Sequence, residues 1–267
     1  NDRSLRDLIQ ADPHGIMGDS WSPERPFPIL VKWLDCQERL SLQVHPPASI
    51  APSLGGEPKT ENWYIASAEP HATLMAGLKK GITKSDFESN LQSNTLEPLI
   101  HTFSVKKGES IFIPSGRIHA IGAGNLILEI QQNSDTTYRV YDWDRVGLDG
   151  KPRQLHTQES LESTNFSDFE PATLQPTERD QLLVKSDVFN LNKRVLAAGS
   201  TLKFEAGEPR ILSVVDGSLQ TPYEDVPIIK GDNVLIPARN SFESTAKVET
   251  IVPVSYTHLR AHETLSY

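Results

Sequence analysis

The alternation of apolar and polar residues along the chain predicts mostly β structure. Short runs rich in β-branched and aromatic side chains are separated by Gly, Pro, Asn and Asp, which is the pattern of strands joined by turns. Many short strands at close spacing are typical of a sandwich or a barrel. The predicted strands cover 27–35, 39–45, 62–67, 73–78, 101–105, 110–114, 126–131 and 136–142, and a second strand-rich block covers 182–254.

Two short helices interrupt this pattern. Ser4 and Asp7 have the spacing of a capping box, apolar residues follow on one helical face, and Pro13 ends the run. A second helix is predicted over 83–91, where apolar residues four positions apart form one face. The sequence therefore predicts a β protein with small helical additions.

One eight-residue segment occurs twice, at 107–114 and at 230–237. Each copy has Lys-Gly, then an acidic residue, then an apolar strand that ends in Ile-Pro. Five residues after its Pro the first copy has His119, whereas the second copy has Phe242. The simplest interpretation is two copies of one β module, of which only the first carries a potential metal ligand.

A change in composition suggests where these two blocks divide. From about 160 to 179 the chain becomes polar and contains Pro171 and Pro176, so this stretch is predicted to be a linker. We expect a catalytic, metal-binding domain at 1–165 that includes the helical segments, and a second, metal-free β domain at 166–254. The last residues, 255–267, lack apolar periodicity and are predicted to be a non-native or disordered tail.

Composition and charge narrow the classes of function. Hydrophobic residues make up 37% of the chain, which is enough for a packed core. The formal net charge of −9 argues against non-specific binding to nucleic acid or to an anionic membrane. Cys36 is the single cysteine, so no internal disulfide can form, which favours a reducing cytoplasm. No segment reaches the roughly 18 consecutive apolar residues of a membrane span.

The predicted strand at 39–45 places three polar side chains on one face. Ser41, Gln43 and His45 alternate with apolar residues, and alternate residues of a strand point to the same side. One interpretation is a solvent-exposed face, since amphipathic strands are common. The other is a functional site inside a barrel.

Further polar residues favour a site. Glu61 stands at the start of a predicted strand, His119 on the turn after another, and Arg139 on a third. Two imidazoles, one carboxylate and one amide form a donor set that suits a divalent metal ion with open positions for water or substrate. Two histidines and a carboxylate are also the ligands of iron oxygenases, so zinc and iron remain alternatives at this stage.

The motifs around these residues resemble a known family. The spacing G-x5-P-x-G-x2-H from Gly108 to His119 is similar to the second motif of cupins. Four segments in order resemble the type I mannose-6-phosphate isomerases, in particular their short bacterial branch: LQVHP at 42–46, KTENWY at 59–64, PSGRIHA at 114–120 and QQNSDTTYR at 131–139. The resemblance extends from about 13 to 156, and it implies a mainly β fold of two cupin-type barrels or jelly rolls with a small helical insertion in the first.

The resemblance also implies roles for individual residues. It places one Zn²⁺ per chain in the first cupin, and it implies catalytic roles for Arg139 and Lys59. Ser41 and Arg145 correspond to positions that contact phosphate in relatives, although at the second position longer relatives have Lys. The implied zinc ligands are Gln43, His45, Glu61 and His119, of which the amide Gln43 could contact substrate instead.

The implied activity is zinc-dependent aldose–ketose isomerisation. It interconverts mannose 6-phosphate and fructose 6-phosphate through an enediol or enediolate in the cytoplasm. The expected partner is a small hexose phosphate, without nucleic acid or membrane, and the sequence leaves monomer and homodimer open. Two alternatives are an iron-dependent cupin oxygenase and a non-catalytic cupin that binds sugar phosphates.

Overall fold

The computed structural model describes residues 3–147, 150–223 and 225–256. It divides the chain into two compact units. One is Leu30–Pro176, and the other combines the described residues before 30 with those from 177 onward. The predicted division into 1–165 and 166–254 differs from these units in two ways. The N-terminal helices group with the C-terminal strands, and residues 166–176 belong to the Leu30–Pro176 unit.

The N-terminal segment contains two short helices, α1 (Leu5–Ala11) and α2 (Pro13–Met17). The predicted capping box of α1 is present, with reciprocal bonds between Ser4 and Asp7. Pro13 ends α1 as predicted, but it also occupies the first turn of α2, where the missing N–H costs nothing. The buried faces of both helices pack in one apolar cluster that includes Leu235, which explains why they belong to the C-terminal unit.

The Leu30–Pro176 unit is built from two antiparallel sheets. One has the strand order β1-β8-β3-β6 and the other β5-β4-β7-β2-β9. Its strands are β1 (Ile29–Cys36), β2 (Leu42–Val44), β3 (Glu61–Ala68), β4 (Thr73–Leu78), β5 (Ile100–Ser104), β6 (Ser110–Ile113), β7 (His119–Ile121), β8 (Asn125–Gln132) and β9 (Tyr138–Tyr141). Its helices are α3 (Lys84–Gln92), which agrees with the helix predicted over 83–91 and is capped by Thr83, and α4 (Thr157–Ser163).

Two apolar clusters position the functional face of this unit. One cluster contains residues of both sheets, among them Trp63, Leu74 and Ile113, so the sheets pack against each other through it. The other contains Leu42 and Val44 together with residues of α3. Since Leu42 and Val44 lie in this cluster, the residue between them, Gln43, points to the opposite side of β2, into the cavity.

The C-terminal unit is also antiparallel and predominantly β. Its two sheets have the orders β10-β11-β18-β13-β16 and β12-β17-β14-β15, and one apolar cluster contains residues of both sheets. The strands are β10 (Gln181–Lys185), β11 (Asn190–Leu196), β12 (Thr201–Phe204), β13 (Arg210–Ser213), β14 (Ser218–Gln220), β15 (Ile228–Ile229), β16 (Asn233–Ile236), β17 (Phe242–Ala246) and β18 (Thr250–Tyr256).

The repeated segment has the same local structure in both units. Its glycines, Gly108 and Gly231, have φ of 89° and 97°, and the strands that follow are β6 and β16. His119 and Phe242 then begin β7 and β17. The interpretation of two related β modules therefore agrees with the structure, and the prediction of a mainly β fold is confirmed.

The predicted linker is part of the first unit. Residues 157–163 form α4, and the chain beyond it pairs with strand ends through bridges between Leu78 and Phe169 and between Ser110 and Leu174. Its polar composition reflects backbone and side-chain bonds to these strands, such as the bidentate pair between Asp168 and Arg117. The linker prediction is therefore wrong up to Pro176.

The predicted tail starts too early. Ser255 and Tyr256 belong to β18, where Ser255 is buried, and the rest of the predicted tail lies outside the described residues. Among the described helices, none is both long enough and apolar enough to cross a membrane.

Candidate metal centre

Three buried side chains converge inside the Leu30–Pro176 unit. His45 follows β2, Glu61 begins β3 and His119 begins β7, and their potential ligand atoms all lie within 4.8 Å of one another. The strand register produces this convergence, because Gln43 pairs with His119 across β2 and β7. The three residues are 1%, 2% and 3% exposed, so a charge or lone pair placed here is shielded from water.

Hydrogen bonds fix the orientation of both imidazoles. Nδ1 of His45 lies 2.9 Å from the carbonyl oxygen of Thr136, and Nδ1 of His119 lies 2.8 Å from that of Arg117. A carbonyl only accepts, so both Nδ1 atoms carry a proton, and in the neutral ring Nε2 is the atom that presents a lone pair. Backbone carbonyls hold metal-binding histidines in this way.

One nitrogen of this cluster is turned toward the carboxylate of Glu61. Nε2 of His45 lies 3.1 Å from Oε1 of Glu61, yet it makes no hydrogen bond among the described residues. Two imidazole nitrogens and one carboxylate oxygen are the donors that divalent transition metals accept. The residues present therefore fit a divalent metal ion.

The electrostatics of the site keep His119 and Glu61 deprotonated. Burial, and secondarily His45, lowers the pKa of His119 to about 3. Burial alone would raise the pKa of Glu61, but His45, His119 and Lys59 outweigh it and hold this pKa well below its ordinary value. Metal binding requires neutral imidazole and ionised carboxylate, so both groups are in the binding form at neutral pH.

The cluster lies at the wall of a cavity of about 160 Å³. Of the sequence-predicted residues, Ser41, Gln43 and Lys59 line this cavity beside Glu61 and His119. Gln43 donates from Nε2 to the hydroxyl of Ser41 at 2.9 Å. Lys59 is only 7% exposed, and its Nζ lies 3.0 Å from Oε1 of Glu61. The predicted strand face at 39–45 is thus the interior face, and the solvent-exposed interpretation is wrong.

Two further cavity residues were not assigned from the sequence. Glu129 of β8 accepts a hydrogen bond from Nε1 of Trp63 at 2.9 Å, and the same indole nitrogen donates to Glu61 at 3.0 Å. Burial and the charge of Glu61 raise the pKa of Glu129 to about 7. Nζ of Lys32 lies 3.4 Å from Glu129. Each of these charged residues interrupts an apolar strand, a signal that could have indicated a buried functional charge.

The two predicted arginines lie outside this cavity lining. Arg139 is opposite Gln43 in the pairing of β9 with β2, and directly paired residues share a face of the sheet. Its Nη1 donates to the carbonyl of Gln154 at 2.9 Å. Arg145 donates to the carboxylate of Asp142 at 2.7 Å and to the carbonyl of Arg39 at 2.6 Å. Arg139 therefore flanks the site. Arg145 lies after the end of β9, where it is hydrogen-bonded to Asp142 and Arg39.

Comparison with known proteins identifies the family. No protein-family model matches the chain. The mannose-6-phosphate isomerase of Streptococcus mutans is 35% identical over 241 residues, which cover 86% of this chain and 74% of the relative. The chain belongs to the mannose-6-phosphate isomerase family. The mannose-6-phosphate isomerase ManA of Bacillus subtilis is 36% identical over 221 residues, 79% of this chain and 69% of the relative.

A solved structure supports the same family at the level of the fold. The crystal structure of mannose 6-phosphate isomerase from Bacillus subtilis has a TM-score of 0.80 and 30% sequence identity, and the match covers 92% of this chain and 80% of that chain. The resemblance to mannose-6-phosphate isomerases and the cupin fold that it implied are thereby confirmed.

Proposed function

We propose that the chain is a zinc-dependent isomerase that interconverts mannose 6-phosphate and fructose 6-phosphate through an enediol or enediolate. The observation that carries this proposal is the buried cluster of His45, Glu61 and His119, whose potential ligand atoms all lie within 4.8 Å of one another and whose imidazoles are both oriented by a backbone carbonyl at Nδ1. Its occurrence in a member of the mannose-6-phosphate isomerase family supports this substrate.

His45, Glu61 and His119 would hold the metal ion, and Gln43 is a fourth possible ligand. Imidazole and carboxylate donors with open positions are typical of catalytic zinc. When bound, zinc acts as a Lewis acid that stabilises negative charge developing on a substrate oxygen. The backbone carbonyls of Thr136 and Arg117 keep both imidazoles in the binding tautomer.

The isomerisation moves one proton between the carbons C1 and C2 and another between the oxygens that they carry. Lys59 is the candidate acid or base, because its ammonium group is buried in the cavity beside Glu61. Arg139 is the candidate for stabilising the negative charge of the enediolate, since its positive charge lies on the same sheet face as Gln43.

Ser41 and Arg145 are the candidates for holding the phosphate. Ser41 lines the cavity, and its hydroxyl accepts from Gln43, which leaves its own proton available to a phosphate oxygen. Arg145 offers a guanidinium group that matches phosphate geometry. Binding energy from the phosphate, which does not react, would orient the sugar at the metal.

We also propose a cytoplasmic location. The single cysteine, Cys36, is buried, and burial raises the pKa of its thiol to about 11, so it stays protonated and unreactive. Such a thiol does not depend on an oxidising compartment.

The direct test is zinc content together with turnover of purified, zinc-loaded protein. Glu61→Ala removes the anionic donor, so we expect loss of both bound zinc and the conversion of mannose 6-phosphate to fructose 6-phosphate. Glu109→Ala is a matched control, because Glu109 is a buried carboxylate in the same unit whose Oε2 accepts from Thr173. The control is expected to retain zinc.

Two outcomes would contradict the proposal. Zinc-loaded wild-type protein that converts no mannose 6-phosphate would refute the activity. A Glu61→Ala variant that retains one zinc per chain would refute the metal site, whatever its turnover.

A further inference from the structure

In the turn after β9, the carboxylate of Asp142 links two segments of the chain, the start of β2 and residues 153–156. Asp142 is 4% exposed and accepts hydrogen bonds from two arginines. Nη2 of Arg145 donates to its Oδ1 and Nε of Arg153 to its Oδ2, both at 2.7 Å. Burial would raise the pKa of Asp142, but these two guanidinium groups hold it below its usual value.

One arm of this connection reaches the start of β2. Nη1 of Arg145 donates to the carbonyl of Arg39 at 2.6 Å, and Nε1 of Trp143 donates to the carbonyl of Leu40 at 2.8 Å. These carbonyls directly precede Ser41. The ladder between β2 and β9 has a register shift between Leu42 and Gln43, so strand pairing alone does not fix this entry.

The other arm reaches Arg139. The carbonyl of Gln154, next to Arg153, accepts from Nη1 of Arg139 at 2.9 Å. His156 then pairs with the backbone of Arg139 in both directions, since its Nδ1 accepts from the N–H of Arg139 and its own N–H donates to the carbonyl. The segment 153–156 therefore holds both the backbone and the guanidinium group of Arg139.

The backbone of the turn is strained. Trp143 and Asp144 are consecutive non-glycine residues with φ of 59° and 55°, a left-handed conformation that L residues avoid. The hydroxyl of Tyr141 donates to Asp144 at 2.9 Å, and the guanidinium of Arg39 lies 3.5 Å from the ring centre of Trp143. Strain of this kind persists where surrounding contacts over-determine it, and it concentrates at functional sites.

We propose that Asp142 is a positioning residue, whose carboxylate joins the entry of β2, which carries Ser41 and Gln43, to the segment that holds Arg139. Its effect on turnover rests on the proposed isomerase function, whereas its effect on local structure rests on the contacts alone. Asp142 touches neither the cavity nor the metal cluster, so it acts through Arg145 and Arg153.

The structural half is tested by hydrogen–deuterium exchange on the zinc-loaded full chain. In Asp142→Asn, we expect amides of 39–42 and of 153–156 to exchange at least several-fold faster than in the wild type. In Arg153→Gln, only 153–156 should exchange faster, because the arm to β2 stays intact. Asp180→Asn is the matched control: it removes a carboxylate that pairs with Arg194 in the other unit, and both segments should stay unchanged. Unchanged exchange at either segment in Asp142→Asn would overturn the proposal.

The catalytic half is tested by a double-mutant cycle in kcat/KM with zinc content held equal. We expect Asp142→Asn to lower kcat/KM by tenfold or more in the wild-type background, and by a clearly smaller factor once Arg139→Ala has removed the group that one of the two connections holds. Equal losses in both backgrounds would show a merely structural role and overturn the proposal. If Asp142→Asn does not fold, Arg153→Gln takes its place in the cycle.

Failure of the proposed function is distinguishable from failure of this inference. An inactive wild-type protein would refute the isomerase and with it the catalytic half, while faster exchange at both segments in Asp142→Asn would still establish the connection through its carboxylate.

Discussion

At the residue scale, the properties of the site depend on how deeply its titratable groups are buried. His119 is 3% exposed, and its neutral form is favoured because a buried imidazolium loses its hydration. His45 has the same carbonyl-bonded Nδ1, so both imidazoles are prepared for a metal ion before one binds. The same burial has a thermodynamic cost in acid, since a histidine that cannot protonate in the folded state protonates freely when the chain unfolds.

This cost predicts a pH dependence for the metal-free protein. The pKa of His119 is about 3 when folded, against 6.5 ordinarily, so the unfolded chain binds the extra proton between these values. The free energy of unfolding is then complete above pH 6.5 and falls as the pH decreases, by up to about 1.4 kcal/mol per pH unit. Urea unfolding at pH 7.5 and 5.5 measures it, and His119→Gln should show a smaller loss than the wild type.

His71→Gln is the control for this measurement. The His71 side chain is 75% exposed and pairs with the exposed Glu69, so its replacement should leave the pH dependence of unfolding unchanged. A wild-type protein and a His119→Gln variant with the same loss would contradict the prediction.

At the element scale, local sequence patterns account for much of the structure. The capping box at Ser4 starts its helix as predicted, and a second box is present at Thr83, because these bonds form within four residues of chain. The repeated Lys-Gly segment likewise forms the same turn and strand in both units. The short strand β7 was not predicted from the sequence, although its first residue, His119, was identified as a candidate metal ligand. A three-residue strand has too little periodicity to be read from sequence, and it is defined by pairing with β2 and β4.

The glycine of the repeated segment provides a prediction at this scale. Gly108 has φ of 89°, and a Cβ placed there would lie 2.9 Å from Cβ of Pro176. Gly81, in the same unit, has φ of 86° with open space around the corresponding position. Gly81→Ala should therefore cost only the backbone strain, about 1–2 kcal/mol, whereas Gly108→Ala should cost more because Pro176 must also move. Calorimetric unfolding midpoints compare the two variants, and equal shifts would argue against this contact.

At the scale of the whole molecule, the metal cluster lies entirely within the Leu30–Pro176 unit. The second unit repeats the β module, but Phe242 stands where the first has His119 and packs in an apolar cluster. One module thus retains donors for a metal, while its counterpart has an apolar side chain. Metal binding is consequently expected to stabilise one unit and leave the other unaffected.

Removal of the metal should therefore destabilise the chain unevenly. At a free zinc concentration 100 times the dissociation constant, binding stabilises the folded state by about 2.7 kcal/mol. Treatment with a chelator should speed amide exchange in β3, β7 and β8, and leave β11 and β18 of the other unit unchanged. The Glu61→Ala variant should show no response to the chelator. An equal response in both units, or in this variant, would be inconsistent with a single site in the first unit.

The sequence by itself determined the strand-rich pattern, the helix starts, the duplicated module and five of the polar residues that line the cavity, because each depends on neighbours in the chain or on short motifs; these five are Ser41, Gln43, Lys59, Glu61 and His119. Only the tertiary structure decided which atom of each side chain faces the site. The carbonyl of Thr136 orients His45 across 91 positions, and the register of β3 with β8 places Glu129 against Trp63. It also joined residues 3–29 to the C-terminal unit. Such contacts link distant residues through strand register and packing, which local spacing does not encode.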